Sequence, residues 1–283
     1  MKNILLPTDF SENSWNAISY AIQFYDNIPC NFYLLHVHRV REDIMDVSPY
    51  IADQEVLEAV HKKPAKEKLL KLIKRIKKEL PDIQSHHRFY SLSDYDFFID
   101  AIRRHVEQKN IDTIVMGTKG ASGLKEIIIG SNTGDVITKV KCNLLAVPEK
   151  AQYRNINEIV FATDFSLNYN LKILRPLLET VDRNAAALRI LHMSKNKTNL
   201  NTEQQLNRET LQEYFNNTDS SFHYVSNSKL EDAVQSFVEN RKIDLIFMVA
   251  KNLNYCQQIL FHSKIEKISY HINIPFLVLH EIN

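Results

Sequence analysis

Short apolar runs alternate along this chain with longer stretches whose apolar residues recur every three to four positions. Asn3–Leu6 reads as a buried strand that stops at Pro7-Thr8-Asp9. Ser11 then caps a helix to about Phe24, with Trp15, Ile18 and Ile22 on one face. Asn31–Val37 is a second strand, so the chain opens β-α-β, a connection that pairs strands in parallel through a right-handed crossover. Residues 38–63 are charged and poorly patterned, with Pro49 inside and Pro64 just beyond, and read as a loop with some helix, a candidate lid. Lys66–Leu80 predicts a helix with Leu69, Leu72, Ile73, Ile76 and Leu80 inward. Its other face carries Lys66, Lys68, Lys71, Lys74, Lys77 and Lys78, at the period of a solvated face rather than of a site for an acidic partner. Ser85–Tyr90 predicts a third strand, and Asp94–Gln108 a helix that turns Phe97, Phe98, Ala101, Ile102 and His105 inward. Thr113–Met116 is a fourth strand, a helix follows from near Asn132 to Lys141, and Leu144–Val147 is a fifth strand. Five strands alternating with helices predict an open α/β sheet.

Pro148–Asn157 is polar, and beyond it the pattern starts again. Ile159–Ala162 leads into Thr163-Asp164-Phe165-Ser166, which repeats Thr8-Asp9-Phe10-Ser11. Ile190-Leu191-His192-Met193 repeats Leu34-Leu35-His36-Val37. Lys242–Met248 repeats Asn110–Met116, an offset of 132 from Asp112 to Asp244 that holds to Ile274–Val278 against Cys142–Ala146. A repeat of this length is the duplication of a whole domain, placing a boundary near 150 and two domains at 1–150 and 151–283. The offset falls from 155 at Thr8/Thr163 to 132 at Asp112/Asp244, so the first copy is 23 residues longer, mostly within 38–63.

Composition narrows the function classes. Hydrophobic residues make up 44%, enough for ordinary cores, and the net charge of +1 gives no pull toward nucleic acid or anionic lipid. Cys30, Cys142 and Cys256 lie far apart, which argues against a zinc site or disulfide framework and fits a reducing cytoplasm. The apolar run Ile4–Pro7 is too short for a signal peptide, and no stretch approaches the roughly 18 apolar residues of a membrane span.

The chemistry concentrates in one stretch. The chain has five glycines, and all lie from Gly117 to Gly134, between the fourth strand and the first turn of the helix after it. Glycine serves where φ is positive or where another group approaches the backbone closely. A loop that leads into a helix N-terminus can cradle phosphate on backbone N–H groups, helped by the helix dipole. The spacing is not that of a P-loop or of a G-x-G-x-x-G fingerprint, and Gly120-Ala121-Ser122-Gly123 is one residue short of a nucleophile elbow.

The run Gly117-x2-Gly120-x9-Gly130-Ser131 resembles the signature of the universal stress protein family in its ATP-binding branch. Together with the internal repeat, the resemblance covers nearly the whole chain as two tandem domains. It implies α/β domains, each an open doubly wound, mainly parallel five-stranded sheet in the order 3-2-1-4-5 with helices on both faces. Strands 1 and 4 then flank the switch point, where ligands bind in such sheets. Carried over, Pro7-Thr8-Asp9 and Met116-Gly117 line one crevice, Asp9 meets the base, and Val37 meets adenine through its main chain. Gly117, Lys119 and Gly120 lie against ribose and phosphates, and Gly130 and Ser131 meet the phosphate tail, with Asn132 and Thr133 opening the helix. Asn132 departs from the family's usual apolar residue, which a backbone contact tolerates.

The ligand implied is ATP or another adenine nucleotide, with Mg²⁺ arriving on the phosphates. His36 and His38 share one strand face but have no evident third metal ligand. No catalytic set is visible, so the expected protein is a nucleotide-binding stress-response regulator and not an enzyme. The rivals are an interaction module with a vestigial site, or a slow ATP hydrolase. At the offset of 132 the second copy has Val249, Asn252 and His262 in place of Gly117, Gly120 and Gly130, and keeps only Ser263. It should bind no nucleotide and serve as the packing partner of the first. The family's last strand often pairs across a dimer interface, so Leu144–Val147 and Phe276–Val278 are expected to meet within this chain as an intramolecular pseudo-dimer. A homodimer of the whole chain and an unnamed downstream protein remain further partners.

Overall fold

The computed structural model describes residues 1–38, 63–80, 86–118, 131–166, 170–194, 200–226, 230–252 and 273–281. The first half runs β1 (Lys2–Pro7), α1 (Glu12–Phe24), β2 (Cys30–His38), α2 (Lys63–Glu79), β3 (Arg88–Tyr95), α3 (Phe98–Gln108), β4 (Thr113–Gly117), α4 (Ser131–Lys139) and β5 (Asn143–Val147). The second runs β6 (Glu158–Thr163), α5 (Arg175–Asn184), β7 (Ala187–Ser194), α6 (Thr202–Tyr214), β8 (Ser220–Ser226), α7 (Leu230–Arg241), β9 (Leu245–Val249) and β10 (Phe276–Leu279). Of the segment 38–63 expected to be loop, residues 39–62 lie outside the described residues.

All ten strands form one sheet, in the order β3-β2-β1-β4-β5-β10-β9-β6-β7-β8. Each half therefore has the expected order 3-2-1-4-5. Neighbouring strands are parallel within each half, and β5 and β10 are antiparallel. Their register sets Leu145 opposite Leu277, flanked by Ala146–Phe276 and Leu144–Val278. Leu145 and Leu277 are themselves equivalent at the offset of 132, so an approximate two-fold axis passes through that pair.

Strands covered on both faces read as continuous apolar runs, and β1 is such a strand. Ile4 and Leu6 point into one core layer and Leu5 into the other. The first layer packs α1, α2, α5 and α6 against one face of the sheet, and the second packs α3, α4 and α7 against the opposite face. Both layers run unbroken across the two halves. On α2, Leu69, Leu72 and Ile76 are buried and the six lysines are exposed.

The repeat extends to backbone strain. Phe10 and Phe165 hold φ of 65° and 59°, and Asn110 and Lys242 hold 47° and 53°. Two elements differ from expectation. β3 runs Arg88–Tyr95 rather than 85–90, because its extent follows its partner β2, residue for residue from Asn31–Arg88 to His38–Tyr95. α3 begins at Phe98, so Asp94 belongs to the strand. Phe97 is the extended N-cap residue and is 45% exposed rather than inward.

Candidate functional site

Parallel pairing of β1 with β4, Ile4 against Thr113 and Leu5 against Ile114, brings their carboxyl ends together at the switch point. Pro7 is buried and Asp9 exposed on one wall; Met116 is buried and Gly117 half-buried on the other. β2 flanks β1, so half-buried Val37 lies at the same end of the sheet. The expected residues 7–9, 37 and 116–117 are thus gathered at the same end of the sheet, around the switch point. Lys119, Gly120 and Gly130 lie outside the described residues. The loop's far end is anchored where α4 begins, with Ser131 exposed, Asn132 half-buried and Thr133 buried. Thr133 Oγ1 donates to the Gly117 carbonyl at 2.9 Å, tying the first turn of α4 to the end of β4. Thr118 N–H donates to the Val147 carbonyl at 3.1 Å.

Gly117 is not in the left-handed region. A Cβ there would stand 2.6 Å from Asn13 Nδ2 on α1, so a larger residue would require that side chain to move. Asn13 therefore stands against the end of β4, a contact that sequence reading missed, since nothing in its helical period marks it. In the second half β9 carries a buried Val249 at this place, opposite Leu279 as Gly117 is opposite Val147, and continues into a 3-10 turn over Ala250–Asn252.

The turn Thr8–Ser11 is closed by its own side chains. Phe10 N–H donates to Thr8 Oγ1 at 3.0 Å; Ser11 N–H and Oγ–H donate to Asp9 Oδ1 at 3.0 and 2.6 Å. These bonds offset the left-handed Phe10 backbone, a conformation that costs about 1–2 kcal/mol for a residue with a Cβ. Burial pushes the Asp9 carboxyl up, but the hydrogen bonds from Ser11 and Ser14 outweigh it and hold the group below its usual range. His36 Nδ1–H donates to the Thr8 carbonyl at 2.8 Å, with its ring 4.5 Å from that of Phe10. Burial lowers the His36 pKa from its ordinary value. The second copy is built alike: Phe165 N–H reaches Thr163 Oγ1, Ser166 N–H reaches Asp164 Oδ1, and His192 Nδ1 faces the Thr163 carbonyl at 3.2 Å. Thr-Asp-Phe-Ser therefore persists in both halves as a turn. His36 and His38 touch edge to face, and among the described residues no group of three or more His, Cys, Asp or Glu could hold a metal ion.

Beside this turn a pocket of about 220 Å³ opens between α1 and α2, lined by Phe10, Trp15, Lys68, Lys71 and Arg75. A larger cavity, about 850 Å³, lies away from the switch point, among Lys2, Asp112, Arg183 and His280 near the β5–β10 seam. Among the described residues no helix is long and apolar enough to cross a membrane.

A five-stranded, mainly parallel sheet ordered 3-2-1-4-5, built twice into one continuous sheet, defines a tandem doubly wound α/β protein. A model of the universal stress protein family matches residues 1–148, and the chain belongs to that family. One universal stress protein of Methanocaldococcus jannaschii is 32% identical over 157 residues, covering 53% of this chain and 96% of the relative. Another from the same organism is 28% identical over 151 residues, covering 52% and 81%. The crystal structure of a universal stress protein from Archaeoglobus fulgidus matches with a TM-score of 0.68 over 98% of this chain and 97% of that one, at 18% identity. That likeness extends the shared fold over both halves.

Proposed function

We propose that this chain is an adenine-nucleotide-binding regulator of a cytoplasmic stress response, which holds ATP in its first domain, residues 1–150, and uses 151–283 as a built-in partner. The observation that carries this reading is the position of the glycine run. All five glycines lie between the last residue of β4, at the switch point, and the first turn of α4. Backbone N–H groups and the helix dipole suit phosphate there. Gly117, Lys119 and Gly120 take ribose and phosphates, and Gly130, Ser131, Asn132 and Thr133 take the tail. Pro7, Thr8, Asp9, Val37 and Met116 take the adenosine end, and Mg²⁺ rides on the phosphates. In this reading the nucleotide acts as a signal rather than a substrate.

A second reading, an interaction module with a vestigial site, is favoured by one observation: the turn at Asp9 is satisfied by Ser11 just as Asp164 is by Ser166. Isothermal titration with a non-hydrolysable ATP analogue separates the two. Saturation near one equivalent per chain is expected. No binding favours the module, and two equivalents of similar affinity overturn the assignment of the site to the glycine run.

A further inference from the structure

Arg104 on α3 reaches back to two acids at the end of β3. Its Nη2 donates to Asp94 Oδ2 at 2.9 Å and its Nη1 to Asp96 Oδ2 at 2.5 Å. His105, 6% exposed, donates from Nε2 to the same Asp94 oxygen at 2.6 Å. Asp96 N–H donates in turn to the His38 carbonyl at 3.1 Å, and Val37 faces Asp94 across the ladder. The fork thus fixes the turn from β3 into α3, and that turn pins the main chain of β2 at Val37–His38, at the switch-point end of the sheet. Isolated surface ion pairs contribute little. A guanidinium shared between two carboxylates, with a buried histidine on one of them, is a charge-assisted network of fixed geometry.

By sequence, the second half carries other residues at the matching positions. Val225 stands opposite Met193, where the first half sets Asp94 opposite Val37. The offset that carries Asn110 onto Lys242, both left-handed, carries Arg104 onto Ser236 and His105 onto Phe237. The half without the glycine run has also lost the acid, the arginine and the histidine. A fork needed only for folding would be expected in both halves, since both build the same sheet.

We propose that Arg104 is a positioning residue that sets the base selectivity of the first-half site, by holding the Val37–His38 main chain against the base edge. This rests on the reading of Val37 as the main-chain contact to adenine. The test compares ATP, GTP and inorganic tripolyphosphate titrated into the whole protein and its variants. Arg104→Ala is expected to lower the preference for ATP over GTP about tenfold, the worth of one hydrogen bond. Tripolyphosphate affinity and the melting temperature should stay put. Arg104→Lys should fail to restore selectivity, because an ammonium cannot grip two carboxylates as a planar fork does; full restoration would mean that charge alone matters and would overturn the proposal. Without nucleotide, amide exchange at Asp96 should quicken in Arg104→Ala, and unchanged exchange overturns the pin. If Arg104→Ala does not fold, the isosteric Asp96→Asn carries the same measurements. A parent that binds no nucleotide overturns the reading of the site itself. A selective parent with an equally selective, folded variant overturns this proposal alone.

Discussion

Leu277→Ala is expected to destabilise the two halves together, although the residue belongs to the second. Leu277 is 2% exposed and faces fully buried Leu145 on the two-fold axis of the sheet. Both belong to a core layer that also holds Ile18 and Ile22 of α1 and Leu177 and Val181 of α5. Backbone ladders on either side of β10 limit collapse around the missing atoms, so the loss should be about 3 kcal/mol, within the range for buried leucines. With a urea slope of about 3 kcal/mol per molar, the unfolding midpoint falls by about 1 M. Trp15 is the single tryptophan and lies on α1, in the first half, with the Arg75 guanidinium 4.0 Å over its ring. Its fluorescence reports the half that was not altered, and far-UV circular dichroism reports the whole. Both midpoints should move down by the same amount. A Trp15 transition that stays at the parent midpoint, while circular dichroism splits into two steps, would refute the single shared core. Adding Leu145→Ala should give a non-additive double variant, with a coupling of about 1 kcal/mol or more for residues in contact.

Three further outcomes can be checked. Gly130→Val should abolish ATP binding in titration while the circular dichroism stays native, and Ser131→Ala should weaken binding by about 1.5–3 kcal/mol, as for a hydrogen bond to a charged group. Burial lowers His280 from the usual 6.5 to about 4; the unfolded chain then takes up a proton that the folded one refuses, so stability is lost as pH falls from 6.5 toward 4. His280→Leu should remove up to about 3 kcal/mol of that loss, measured as the difference in unfolding free energy between pH 7 and pH 4.5. Burial pushes the thiols of Cys30 and Cys142 up to about 11 and about 12, so iodoacetamide should alkylate them at neutral pH only after unfolding, as mass spectrometry of the peptides will report.

The order of elements and the duplication were legible in the sequence because burial writes its period locally. Ile4–Leu6 reads as a strand covered on both faces, Leu69–Ile76 as a helix stripe, and the constant offset from Asp112 to Asp244 as a second copy. The glycine run marked the candidate site because so few glycines leave only one place where backbone is bare. Boundaries at β3 and α3 were misplaced, since a strand's extent is set by the partner it pairs with, and β2 lies 50 or more residues away in the chain. The antiparallel seam of β5 and β10 followed from the family resemblance and not from the pattern, which is equally satisfied by two separate sheets. What only the tertiary structure decided are contacts between side chains without periodicity. Asn13 against Gly117, the turn bonds that keep Thr-Asp-Phe-Ser in both halves, and the Arg104 fork onto Asp94 and Asp96 are of this kind. Hydrogen bonds and ion pairs depend on distances of a few tenths of an ångström, and hydrophobic patterning fixes only which face of an element turns inward.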